Sequence, residues 1–99
     1  MTPISPKQSP FRVGVVDDDG AVRDSLTTLL QSHGVDALGF ASAQDFLESP
    51  LRKTICCLLV NLQMPGMSGL ELVEKMRSEA DRSPVLLMTS QPETKFGTR

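Results

Sequence analysis

The sequence has no apolar run approaching the roughly 20 residues that cross a bilayer, so no membrane-spanning helix is expected. Its first ten residues, MTPISPKQSP, hold one lysine, three prolines and no apolar h-region. That excludes a secretory signal of the usual form and leaves a flexible N-terminal segment over residues 1–10. A basic stripe is also missing: lysines and arginines lie scattered among acids at a net charge of −2, unlike the clustered cations that neutralise nucleic-acid phosphates. Direct nucleic-acid contact is not expected, and no helix-turn-helix segment is present to make it. Cysteine is confined to Cys56 and Cys57. Neighbours in an apolar strand point to opposite faces, so the pair suits neither a disulfide nor a metal knuckle. Two small core residues in a reducing cytoplasm are expected instead. Internal repeats and low-complexity segments are absent as well.

What is present fits one soluble domain. The apolar fraction is 39% and the charged fraction 22%, ordinary values for a globular protein. A chain of 99 residues buries only about two-thirds of its unfolded surface, so its core has little stability to spare. Short apolar runs alternate with segments whose apolar residues recur at helical spacing, the pattern of a parallel α/β sheet. Residues 11–16 read as a central first strand, apolar on both faces. Over residues 21–33, Val22, Leu26, Leu29 and Leu30 form a stripe facing the sheet, and Gly34 stops the helix. Residues 35–40 form a second strand. Ser42 and Asp45 make a capping box for a short helix ending near Pro50. Residues 55–60 are a buried third strand, and Pro65-Gly66 has the order of a type II turn. Ser68 and Glu71 make a second capping box, with Leu70, Leu72, Val73 and Met76 as the apolar face of a helix reaching Glu79. Residues 85–88 are a fourth strand, and residues 91–99 read as a tail.

In open parallel sheets, ligands bind beyond the carboxyl ends of the strands. Here the first strand ends in Asp17, Asp18 and Asp19, the third in Asn61, and the fourth in Thr89 and Ser90. Carboxylates, an amide and hydroxyls would meet at one edge, where oxygen ligands can bind a hard cation such as Mg2+. Taken alone, the acidic cluster reads equally well as a solvated turn favouring the next helix N-terminus. The combination is what carries information.

VVDDDGAVRDSL, LLVNLQMPGMSGLEL and SPVLLMTS resemble the successive signatures of the receiver domain of two-component response regulators. The spacing of 43 residues from Asp18 to Asn61 and 28 from Asn61 to Thr89 is similar to that of its FixJ-like members. The resemblance covers residues 11–90. It implies a flavodoxin-like (CheY-like) parallel sheet of strand order 2-1-3-4, truncated after the fourth strand. It also implies a metal site made of Asp17, Asp18, Asn61 and the backbone carbonyl of Gln63, with Asp18 the direct acidic ligand, and a switch hydroxyl at Thr89. The family's phosphoaccepting aspartate falls on Asn61.

The sequence departs from the family pattern at two points. A carboxamide carries no charge and is not a competent nucleophile for making an acyl phosphate, so Asn61 is expected not to be phosphorylated and no catalytic residue is assigned. Losing one charged oxygen also lowers Mg2+ affinity, so weak binding is expected. The chain stops at Arg99, and Lys95 is too close to Thr89 to serve as the family's phosphate-pairing lysine. An incomplete switch is expected, together with an exposed fourth strand covered by self-association as a homodimer. The leading reading is a cytoplasmic, non-enzymatic interaction module that binds a sensor histidine kinase, a phosphotransfer protein or another regulator. A second is an ordinary receiver met as an Asp-to-Asn variant or fragment. A third is a haloacid-dehalogenase-type phosphohydrolase, because Asp17-Asp18-Asp19-Gly20 fits its Asp-x-Asp-Gly opening. That enzyme needs a later lysine and acidic pair, and only Glu93 and Lys95 follow Thr89.

Overall fold

Valine-rich and apolar on both faces, Arg12–Val16 forms the first strand, β1, in a computed structural model that describes residues 11–89. It is followed by α1 (Gly20–Ser32), β2 (Asp36–Phe40), α2 (Ala43–Glu48), a 3-10 turn (Arg52–Thr54), β3 (Cys57–Asn61), α3 (Gly69–Ser78) and β4 (Val85–Met88). The four strands are parallel and run β2-β1-β3-β4 across the sheet. The chain steps from β1 to one side and then returns past it to β3 and β4. With the right-handed crossovers usual for parallel strands, that reversal places α1 on one face and α2 and α3 on the other. The reversal also opens a crevice at the carboxyl ends of β1 and β3. The expected tail and N-terminal segment lie outside the described residues.

Parallel register sets Val16 beside Phe40 and Val60 on the face covered by α2 and α3. There they pack with Phe46, Leu58, Leu72 and Met76 in the main core. Phe40 and Phe46 meet edge to face, with centroids 5.3 Å apart. Val13, Val15 and Ala37 are buried on the opposite face. Their helix, α1, is rotated relative to the expected stripe. Val22 and Leu29 are exposed, at 37% and 55%, while Arg23 and Thr27 lie over Gly39 of β2, whose missing side chain leaves room for them.

Close packing at one glycine sets the rotation of α3. A Cβ on Gly69 would lie 2.5 Å from the Asn61 carbonyl oxygen and 3.0 Å from the Leu62 Cα. The helix backbone therefore rests on the end of β3, and Gly69, Leu72 and Met76 face inward together. Leu70, expected on the apolar face, points out at 51% exposure. The helix opens as the sequence implies: Ser68 Oγ accepts from the Glu71 N–H and the Glu71 carboxylate accepts from the Ser68 N–H. Gly66 has φ of 75°, the value a type II turn needs at its third residue. Ser42 Oγ caps α2 through the Asp45 N–H. Cys56 and Cys57 are half-buried rather than enclosed in the core. Among the described residues β4 is an edge strand, with Leu86 and Leu87 exposed, and no helix is long and apolar enough to cross a membrane.

Candidate functional site

Pairing of Val16 with Val60 brings the ends of β1 and β3 level, so the residues after them share one edge of the sheet. Asp17 and Asn61 are both buried there, at 2% and 4% exposure, the only buried polar residues among those described. Pairing of Asn61 with Met88 places Thr89 next along the same edge, exposed at the end of β4. Ser90 lies outside the described residues.

The three consecutive acids have three different surroundings. Asp17 donates its N–H to the Phe40 carbonyl at 3.1 Å, which fixes it to the sheet. Its Oδ1 accepts from the Asp19 N–H at 2.9 Å and from Asn61 Nδ2 at 3.2 Å. Asp18 is exposed, and its Oδ1 lies 3.5 Å from Asn61 Nδ2, a longer and weaker contact. Asp19 turns away from the crevice and caps α1, accepting from the Ala21 and Val22 N–H groups at 2.9 and 3.3 Å. Helix capping thus accounts for one acid of the cluster, while the other two face Asn61.

Asn61 is held on both sides. Its Oδ1 accepts from the Gln63 N–H at 3.2 Å, while Nδ2 faces the two carboxylates. The structure therefore brings Asp17, Asp18 and Asn61 together, and joins Gln63 to them through its backbone. Sequence reasoning missed Arg23, whose Nη1 donates to the Asp17 carbonyl at 2.7 Å. The available signal was Gly39, since a glycine inside a strand marks a close approach, here by the Arg23 stem.

A divalent cation needs converging oxygens, and this donor set does not supply them as arranged. Between the carboxylates stands an N–H2 group, and the side-chain oxygen of Asn61 faces the Gln63 N–H instead of them. Among the described residues no group of three histidine, cysteine, aspartate or glutamate side chains is placed to hold a metal. Among the described residues no buried side-chain nitrogen or oxygen is left without a hydrogen-bond partner.

Known proteins share this fold. The family model for the response regulator receiver domain matches residues 13–99. The chain is 40% identical over 75 residues to the transcriptional regulatory protein FixJ of Bradyrhizobium diazoefficiens, covering 76% of this chain and 37% of that protein. It is 34% identical over 87 residues to the transcriptional regulatory protein TdiR of Thauera aromatica, covering 88% and 38%. The chain thus spans less than two-fifths of the length of these curated relatives. Among solved structures, the response regulator StyR superposes with a TM-score of 0.78 at 38% identity, covering 86% of this chain and 43% of that one. The response regulator TrrA of Thermotoga maritima, in complex with Mg(2+)-BeF, superposes with a TM-score of 0.74 at 25% identity, covering 85% and 73%.

Proposed function

The chain belongs to the response regulator receiver family of two-component signalling, and we propose that it is a member that accepts no phosphoryl group and acts through protein–protein contacts. The observation that carries this reading is Asn61. At the end of β3, where the family resemblance puts the phosphoacceptor, stands a buried carboxamide bonded to Asp17 and to the Gln63 N–H. An amide offers phosphoryl transfer no charged nucleophile. Asp17, Asp18, Asn61 and the Gln63 carbonyl stand at the metal-ligand positions that the resemblance implies, where Mg2+ has at most a weak hold, and Thr89 is the switch hydroxyl. The domain spans residues 11–90. Its partners are a sensor histidine kinase, a phosphotransfer protein or another regulator, met in the cytoplasm.

A homodimer formed along β4 belongs to the same proposal, supported by the exposure of Leu86 and Leu87. Sedimentation over a concentration series is expected to show reversible dimers; a folded monomer at every concentration would remove this part. Membership of the receiver family leaves the haloacid-dehalogenase reading without support.

A second reading, an ordinary phosphoaccepting receiver met as a variant or fragment, is favoured by the survival of Asp17, Asp18 and Thr89 at one edge. The deciding experiment incubates the protein and Asn61→Asp with Mg2+ and acetyl phosphate and follows intact mass. The proposal expects no phosphoryl adduct on the unaltered chain. An adduct on it, at Asp17 or Asp18 included, refutes the proposal. An adduct on Asn61→Asp alone means that the pocket is otherwise competent and raises the second reading.

A further inference from the structure

Asn61 has a polarity that its neighbours decide. The Gln63 N–H can only donate, so the atom facing it at 3.2 Å must be the amide oxygen. Turning the amide over would set donor against donor there, and would set the oxygen against two carboxylates. Nδ2 is thereby directed at Asp17 Oδ1 and Asp18 Oδ1 together. A primary amide has two N–H hydrogens, enough for one bond to each carboxylate.

Asp17 is buried, and no ion pair to it is formed among the described residues. Arg23 bonds its main-chain carbonyl and not its carboxylate. A buried carboxylate beside a second one is destabilised by lost hydration and by like charge unless donors or a cation compensate. The donors present are the Asp19 N–H and the Asn61 amide.

We propose that the Asn61 carboxamide takes the structural place of a divalent cation, bridging Asp17 and Asp18 and holding the pocket in one arrangement without metal. A cation set between the carboxylates would have to displace the N–H2 group that faces both, and Asn61 could turn its oxygen toward them only by giving up Gln63. The unaltered pocket is therefore closed to metal by its own hydrogen bonds, and the fold does not depend on metal. This inference deepens the reading of the site as a receiver pocket that takes no phosphoryl group, and rests on it.

Calorimetry on the full chain, in EDTA and in millimolar MgCl2 at matched ionic strength, tests the proposal. The unaltered protein is expected to have the same Tm in both. Asn61→Asp, which puts a third carboxylate in place of the donor, is expected to lose about 4–8 °C in EDTA and to recover in Mg2+. Asn61→Ala is the sharper variant: it adds no ligand, yet removing the bridge is expected to make its Tm rise with Mg2+. A mere packing loss would lower Tm equally in both buffers, and that result for Asn61→Ala would overturn the proposal. So would a rise in the Tm of the unaltered protein with Mg2+, a measurement that needs no variant to fold. Such a rise without a phosphoryl adduct would defeat this inference alone; an adduct on the unaltered chain would defeat the functional reading whatever the metal does.

Discussion

Replacing Gly69 with alanine probes the contact that orients α3 and supports the end of β3. The added Cβ would meet the Asn61 carbonyl oxygen at 2.5 Å, the Leu62 Cα at 3.0 Å and Leu87 Cδ2 at 3.1 Å. The side-chain contact can yield by a rotamer change, but the first two are backbone atoms inside the sheet edge. Gly69 N–H also donates to the Leu62 carbonyl at 2.9 Å, which keeps the helix start against the strand end. The helix must therefore move as a body, loosening Leu72 and Met76 from the core. Overpacking of this kind costs about 1–3 kcal/mol. Relief of glycine's backbone entropy returns at most about 1 kcal/mol, and less at the first turn. The net expectation is a loss of about 1–2 kcal/mol, large for a domain of this size. The chain has no tryptophan or tyrosine, so urea unfolding is followed by far-UV circular dichroism, with Leu70→Ala as an exposed-site control expected to change stability by about 0.5 kcal/mol or less. An unchanged or raised urea midpoint for Gly69→Ala would refute the account of how α3 is seated.

Two further outcomes separate roles that the geometry assigns to neighbouring residues. Asp19→Ala is expected to lose about 0.5–2 kcal/mol through the missing N-cap of α1, whereas Asp18→Ala, exposed and weakly bonded, is expected to lose much less; equal losses in urea unfolding would contradict the division of the acidic cluster. Arg52 joins Glu79 at 2.7 Å and Asp81 at 3.4 Å, and its guanidinium lies over the Phe46 ring. The hydrogen bond from Arg52 holds the Glu79 carboxyl below its ordinary range. For Asp81, burial pushes the other way, and hydrogen bonds from Ser83 and Arg52 outweigh it to leave the carboxyl lowered. A carboxylate depressed in the folded state adds stability above its unfolded pKa and loses it as pH falls through the folded value. Thermal unfolding is therefore expected to show a loss below the ordinary carboxylate range that is smaller in Arg52→Gln; parallel pH profiles for the two proteins would exclude this ion-pair contribution.

The strands and helices were legible because each rests on a local pattern: continuous apolar residues in β1 and β3, helical spacing in α1 and α3, and the Ser68–Glu71 capping box. The rotation of the helices was not legible in that way. Apolar spacing marks Val22, Leu29 and Leu70 as inward-facing, yet the faces are selected by glycines opposite or within the contact, Gly39 for α1 and Gly69 for α3. A missing side chain makes room for whatever fits, here the stem of Arg23, and periodicity does not report that. Arg52 likewise reaches partners 27 and 29 residues away, a separation with no local signature.

At the site, convergence could be read from sequence because parallel strands deliver their last residues to a common edge. Asp17, Asp18 and Asn61 do meet there. What the residue types could not show is which end of the amide faces the acids, because the deciding group is a backbone N–H two residues later. Read as an oxygen donor, Asn61 is a weakened metal ligand; read as a nitrogen donor, it completes a network in which Asp17 already accepts from Asp19. The carboxamide that offers phosphoryl transfer no charged nucleophile thus also supplies a compensating donor. On the proposed reading, a receiver that takes no phosphoryl group need not carry two crowded carboxylates as a structural burden, because the amide at Asn61 bonds both of them.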